Sequence, residues 1–227
     1  MLKTFKKTTD RSELASINER NAWKIIPILL LGYLLNTIDK TNIGFASLEM
    51  NKALGFTPAV FGLGAGLFFV SYAFLELPSN LLMRRFGARK WLSRILISWG
   101  LIAMAMASIH NETSFYITRL LLGVAEAGWF PGVLFYLSLW FPGYFRARAI
   151  TLFFLGVPIA AMIGGPVSGA LLTLPTIAGV ANWQWLFIVE GLPTVILGFL
   201  ILVVLKDKPA DATWLTRRGE GTTRGDH

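Results

Sequence analysis

Four ionisable residues stand in stretches too apolar to need them. The run Phe115 to Trp140, FYITRLLLGVAEAGWFPGVLFYLSLW, is long enough to cross a bilayer as a helix, yet it carries Arg119 and Glu126. Seven positions separate the two, about two helical turns, so both project from one stripe with Gly123 between them. An earlier apolar run ends LLNTIDKTNIGFA and places a second opposite-charge pair, Asp39 and Lys40, within or near its far half. Each such group costs roughly 2.5–3.5 kcal/mol at membrane depth and usually faces a protein interior or a water-filled path. The chemistry these residue types offer is proton and anion handling, which points to a transport pathway. A carboxylate in a partly desolvated cavity can load a proton near neutral pH. A neighbouring ammonium or guanidinium attracts an anion, and Arg can grip a carboxylate with two hydrogen bonds. If protonation of Asp39 or Glu126 frees Arg119 or Lys40 from an internal ion pair, the two fluxes become coupled.

Each residue also has a structural reading. Arg119 and Glu126 could form a packing ion pair between helices, and Asp39 and Lys40 could lie at a helix end near the interface. Tyr72 either packs or reaches a cavity with its hydroxyl. Glu76 is expected to partner the basic residues that follow it, and Glu190 is more a structural group than a substrate one.

Six helices are expected to position these residues. The 227-residue chain is 54% hydrophobic and only 15% charged, poorer in charge than soluble domains usually are. Six apolar stretches, near 23–46, 59–83, 91–109, 115–140, 149–174 and 183–205, each approach the roughly 20 residues a spanning helix needs. The expected architecture is an all-α membrane protein: a polar cytoplasmic tail over 1–22, a six-helix bundle over 23–205, and a cytoplasmic segment over 206–227. Thr57-Pro58 reads as an N-cap with proline in the first turn, and Pro78 should kink the second span. Gly62, Gly64 and Gly66, and Gly165-x-x-x-Gly169 in span five, suggest close helix packing. The spans divide three plus three, and spans one and four, the first of each triplet, carry the charge pairs; inverted repeats with functional groups on matching helices are a transporter design.

The net charge of +8 does not point to nucleic acid, because the basic residues alternate. They crowd before span one, between spans two and three, between four and five, and after six, while the other loops hold only Lys52. That is the positive-inside pattern of a protein with both termini in the cytoplasm. The first span is too long for a signal peptide and five more follow. There is no cysteine, no Walker A sequence, no HExxH and no nucleophile elbow, so neither an enzyme, a metal nor an organic cofactor is implied.

Four stretches together resemble a known family: NTIDKTNIGFA (36–46), ELPSNLLMRRFGARKW (76–91), RLLLGVAEAGWFPG (119–132) and WQWLFIVEGLP (183–193). Over about residues 20–210 the chain resembles the N-terminal half of a major facilitator superfamily transporter, of the anion:cation symporter group that carries tartrate, phthalate and sugar acids. The resemblance implies a 3+3 inverted repeat forming half of a twelve-helix fold in the bacterial inner membrane. It also implies Asp39 and Glu126 as proton-coupling residues, and Arg119, Lys40 and Tyr72 as contacts to a small organic anion. In the loop between spans two and three, Gly87, Arg89 and Lys90 fall in register, whereas Arg84 stands where the superfamily usually has an acid and Asn80 where it has a glycine. The family has twelve spans, so the expectation is a half-transporter that works with a second six-helix half or as a homodimer. The alternatives are a transport-incompetent remnant and an assembly or regulatory partner of a full-length transporter.

Overall fold

The computed structural model describes residues 2–177 and 179–211. Of the expected C-terminal segment, residues 212–227 lie outside the described ones. Among the described residues, eight α-helices build six membrane-length spans. α1 (Leu2–Leu54) is one continuous helix, so the polar residues before the first span continue its axis. α2 (Pro58–Phe86) starts at an N-cap: the Thr57 hydroxyl accepts from the Val60 amide at 3.2 Å, and Pro58, with no amide hydrogen to satisfy, opens the first turn. It runs on through Pro78. α3 (Ala88–Ala105) ends in a short 3-10 turn, Met106–Ser108.

The fourth span is broken. α4 (Glu112–Glu126) stops at Glu126, and α5 (Trp129–Trp140) begins three residues later, after Ala127 and Gly128. Gly128 holds φ at +88°, a left-handed backbone that side-chain-bearing residues avoid, and its lack of a Cβ admits Ser79 of α2. Span five is likewise two pieces, α6 (Gly143–Phe154) and α7 (Gly156–Leu172), and α8 (Asn182–Val204) completes the bundle.

α3 lies along α8, α2 along α4, and α1 along α7 and α8. Gly100 and Gly191 face each other so closely that a methyl on either would meet the other's carbonyl oxygen. The expected packing role of the other glycines divides. On span two only Gly64 is buried, under the Phe115 ring, while Gly62 and Gly66 meet open space. Residues two apart on a helix are about 200° apart, so the three cannot share one face. Gly169 is also open, and α7 buries only Gly156, Ala160, Gly164 and Ser168.

Two apolar clusters fill the interior. One gathers Ile25, Leu29, Trp99, Trp129 and Tyr136, and the other Ile43, Met50, Phe115, Trp183 and Phe187. Along α1 the stretch between them carries the buried Asn36, Asp39 and Asn42. A polar layer thus crosses the bundle between two dry ones. At the basic end, the segment leaving α8 is tied back: Asp207 Oδ1 accepts from the Arg89 amide at 2.9 Å, and the Tyr136 hydroxyl donates to the Lys206 carbonyl at 2.7 Å.

Candidate functional site

α1 supplies most of the site, because Tyr33, Asn36, Thr37, Lys40 and Thr41 recur at three- and four-residue spacing and so share a stripe. That stripe forms one wall of a cavity of about 430 Å³; Tyr72 and Glu76 of α2, Phe130 of α5 and Val157 of α7 close it. Lys40 joins the cavity to the polar layer. Its Nζ lies 2.8 Å from Glu126 Oε1 and 4.9 Å from the centre of the Tyr72 ring, and its side chain is 29% exposed, whereas that of Glu126 is fully buried. A partly exposed cation therefore shields a dry carboxylate.

α4 delivers Glu126 at its last residue, directly before the break. Gly123, one turn earlier, lets α4 approach so near that a Cβ there would strike the Phe68 carbonyl and the Ser71 hydroxyl of α2. That approach brings Tyr72 over Lys40. Asn36 completes the group, donating to Glu126 Oε1 at 2.6 Å and accepting from Lys40 Nζ at 2.9 Å. Glu126 Oε2 is buried without a hydrogen-bond partner.

Arg119 and Asp39 sit outside the cavity wall. Arg119 is buried, its guanidinium 4.7 Å from the centre of the Phe68 ring and its Nε 3.4 Å from the Gly64 carbonyl. It lies within electrostatic reach of Asp39 and Glu126, yet among the described residues the only ion pairs are Lys40–Glu126 and Arg89–Asp207. Arg119 and Glu126 therefore do not pair with each other: the interhelical ion pair that forms joins Glu126 to Lys40 of α1. Asp39, 7% exposed, turns into the bundle away from Lys40, as adjacent helical residues about 100° apart must. Its Oδ2 has no partner, and the Trp99 indole N–H of α3 faces the carboxyl short of hydrogen-bond geometry.

A third carboxyl joins the layer. Glu190 of α8 accepts from Asn42 Nδ2 of α1 at 2.5 Å and from the Ser168 hydroxyl of α7 at 3.0 Å, tying three spans together. Glu76 lines the cavity instead of turning to the basic loop, where Arg89 takes Asp207 as its acid. Sequence reasoning passed over Asn36, Asn42 and Trp99. Their signal was position: Asn36 is one turn before Lys40 and Asn42 three residues after Asp39.

The geometry has counterparts. The family model of the Major Facilitator Superfamily matches residues 29–224. A protein of Agrobacterium vitis named as a tartrate transporter is 47% identical over 202 residues, covering 89% of this chain and 45% of its own length. A quinolone resistance transporter of Acinetobacter baumannii is 50% identical over 194 residues, covering 86% of this chain and 45% of its own. Among solved structures, a bacterial homologue of the human lysosomal transporter Spinster superposes with a TM-score of 0.77 at 20% identity, over 83% of this chain and 44% of that one. The chain thus spans about 45% of the length of the relatives it matches. By the extent of that family match and the identity of these relatives, this chain, with its six membrane-length helices, belongs to the Major Facilitator Superfamily.

Proposed function

We propose that this chain is the N-terminal half of a transporter that moves a small organic carboxylate across the bacterial inner membrane together with protons. One observation carries the reading: the Lys40–Glu126 ion pair, 2.8 Å long, stands between a cavity and a dry interior. A carboxylate ligand entering the cavity competes with Glu126 for the same ammonium. The competition is won when Glu126 takes a proton, so anion and proton bind together. Lys40 and the Tyr72 hydroxyl meet the anion first. Arg119 adds its guanidinium once α2 and α4 part, and Asp39, within electrostatic reach of Arg119, handles a second proton. The tartrate named for one relative supports a carboxylate cargo. The alternation of basic residues supports cytoplasmic placement of both termini.

The cavity is lined in part by α2 and α7, which belong to the two spans with the smallest buried share. A second six-helix half, or a second copy of this chain, would close it. The test is uptake of labelled tartrate, sugar acids and aromatic acids into proteoliposomes under an inward proton gradient, with the chain alone and with a second half supplied. Uptake that needs the gradient and is lost in Asp39→Asn and Glu126→Gln is the expected result. Gradient-driven uptake that survives both substitutions removes the proton assignment. Failure of every acid in both preparations favours an inert or regulatory six-helix protein.

A further inference from the structure

Glu126 does not meet Lys40 alone. Asn36 closes a three-membered ring: Nδ2 donates to Glu126 Oε1 at 2.6 Å, Oδ1 accepts from Lys40 Nζ at 2.9 Å, and Lys40 Nζ reaches the same Oε1 at 2.8 Å. The amide can lie only this way round, since an ionised carboxylate only accepts and an ammonium only donates. Both contacts therefore fall on Oε1, and Oε2 is left buried and unpartnered. Such an atom is costly in this state, and its use in another state of the site would explain why it is kept.

We propose that Asn36 is the residue through which Glu126 exchanges Lys40 for a proton, with Oε2 as the atom that receives it. A proton arriving through the cavity binds Oε2. The new O–H turns to Asn36 Oδ1 as the Lys40 ammonium leaves that acceptor. The product is a two-point acid–amide pair, Oε2–H to Oδ1 and Nδ2–H to Oε1. The carboxyl goes from −1 to 0 while Lys40 keeps its proton and its charge. The site gains one positive charge, which an anion in the cavity neutralises. Asn36 is thus a positioning residue that offers Glu126 two hydrogen bonds in the protonated state and shares its acceptor with Lys40 in the ionised one. The other charged or titratable groups facing Glu126 are Asp39 on α1, Tyr72 on α2 and Arg119 on α4, with Glu76 across the cavity. This inference rests on reading Glu126 as a protonation site, and adds the atom and its partner.

The experiment is infrared difference spectroscopy on the full chain in proteoliposomes, titrated with acid. A carboxylic C=O band that appears on acidification and is missing in Glu126→Gln reports the protonated Glu126. In Asn36→Leu the band should move to higher wavenumber, as a carboxylic group does on losing hydrogen bonds. Asn36→Ser, too short to bridge both oxygens but still polar, should shift it the same way and guards against misfolding of the leucine variant. A band present in the parent and unmoved in both Asn36 variants overturns the proposal while leaving the protonation reading intact. Absence of any band that depends on Glu126 overturns the protonation reading, and this proposal with it.

Discussion

Lys40 and Glu126 stabilise each other less than their distance implies. A buried ion pair roughly offsets the cost of drying its members, but removing one partner alone leaves an uncompensated charge worth about 3–5 kcal/mol. Lys40→Met is therefore expected to destabilise the bundle by about 3 kcal/mol, the low end because Lys40 still meets solvent. The pair Lys40→Met with Glu126→Gln should recover most of that loss. Thermal unfolding of the four variants in detergent gives the coupling directly, and additive effects would show that the two side chains do not interact. At this scale the sequence was legible where residues are costly. Arg119, Glu126, Asp39 and Lys40 stand out because charge in an apolar run demands a reason. Asn36, Asn42 and Trp99 do not, because neutral polar groups are tolerated in spans and the carboxyls they face, Glu126, Glu190 and Asp39, lie on other helices. Which cation meets Glu126 was equally hidden: the sequence leaves Arg119 and Lys40 both open, and the fold supplies Lys40 from α1.

Helices were legible as lengths of apolar chain, and their interruptions were not. A hydropathy window reads Phe115 to Trp140 as one run, since Ala127 and Gly128 do nothing to its mean. The available clue was Gly128 followed three residues on by Pro131, which fits the first turn of a new helix and not the middle of an old one. The break leaves Glu126 at a helix end, next to backbone that leaves helical geometry. The closeness of α2 and α4 depends on Gly123. Gly123→Ala would press a methyl against the Phe68 carbonyl, and backbone cannot step aside as a side chain can. The expected cost is about 1–3 kcal/mol of overpacking. Because the displaced element carries Tyr72, ligand protection of Tyr72, read by tyrosine-selective labelling, should fall with it. Unchanged protection would mean that Tyr72 is placed by something other than this helix contact.

At the scale of the whole molecule, the apolar surface is uneven. Phe69, Phe74 and Leu77 on α2 and Met162, Ile163 and Val167 on α7 are exposed, and so are Phe199 and Val203 on α8. Of the helices that carry them, α2 and α7 also line the cavity and α8 does not. The chain contains no cysteine, so single cysteines can be placed without background. At Phe69, on the stripe of Tyr72 and Glu76, or at Val157, which lines the cavity, a cysteine should lose reactivity to a lipid-soluble maleimide when a second six-helix half is supplied, whereas one at Val203 should not. Equal protection at all three positions would place the partner elsewhere. The anchoring of Lys206 and Asp207 bears on how force enters this bundle. Tension on the chain beyond α8 reaches Tyr136 of α5 and Arg89 of α3 before it can peel the last turn of α8. A pull from outside is thereby delivered to α5, the helix that resumes directly after Glu126. The bundle has a mechanical handle at its basic end, tied to α3 and α5.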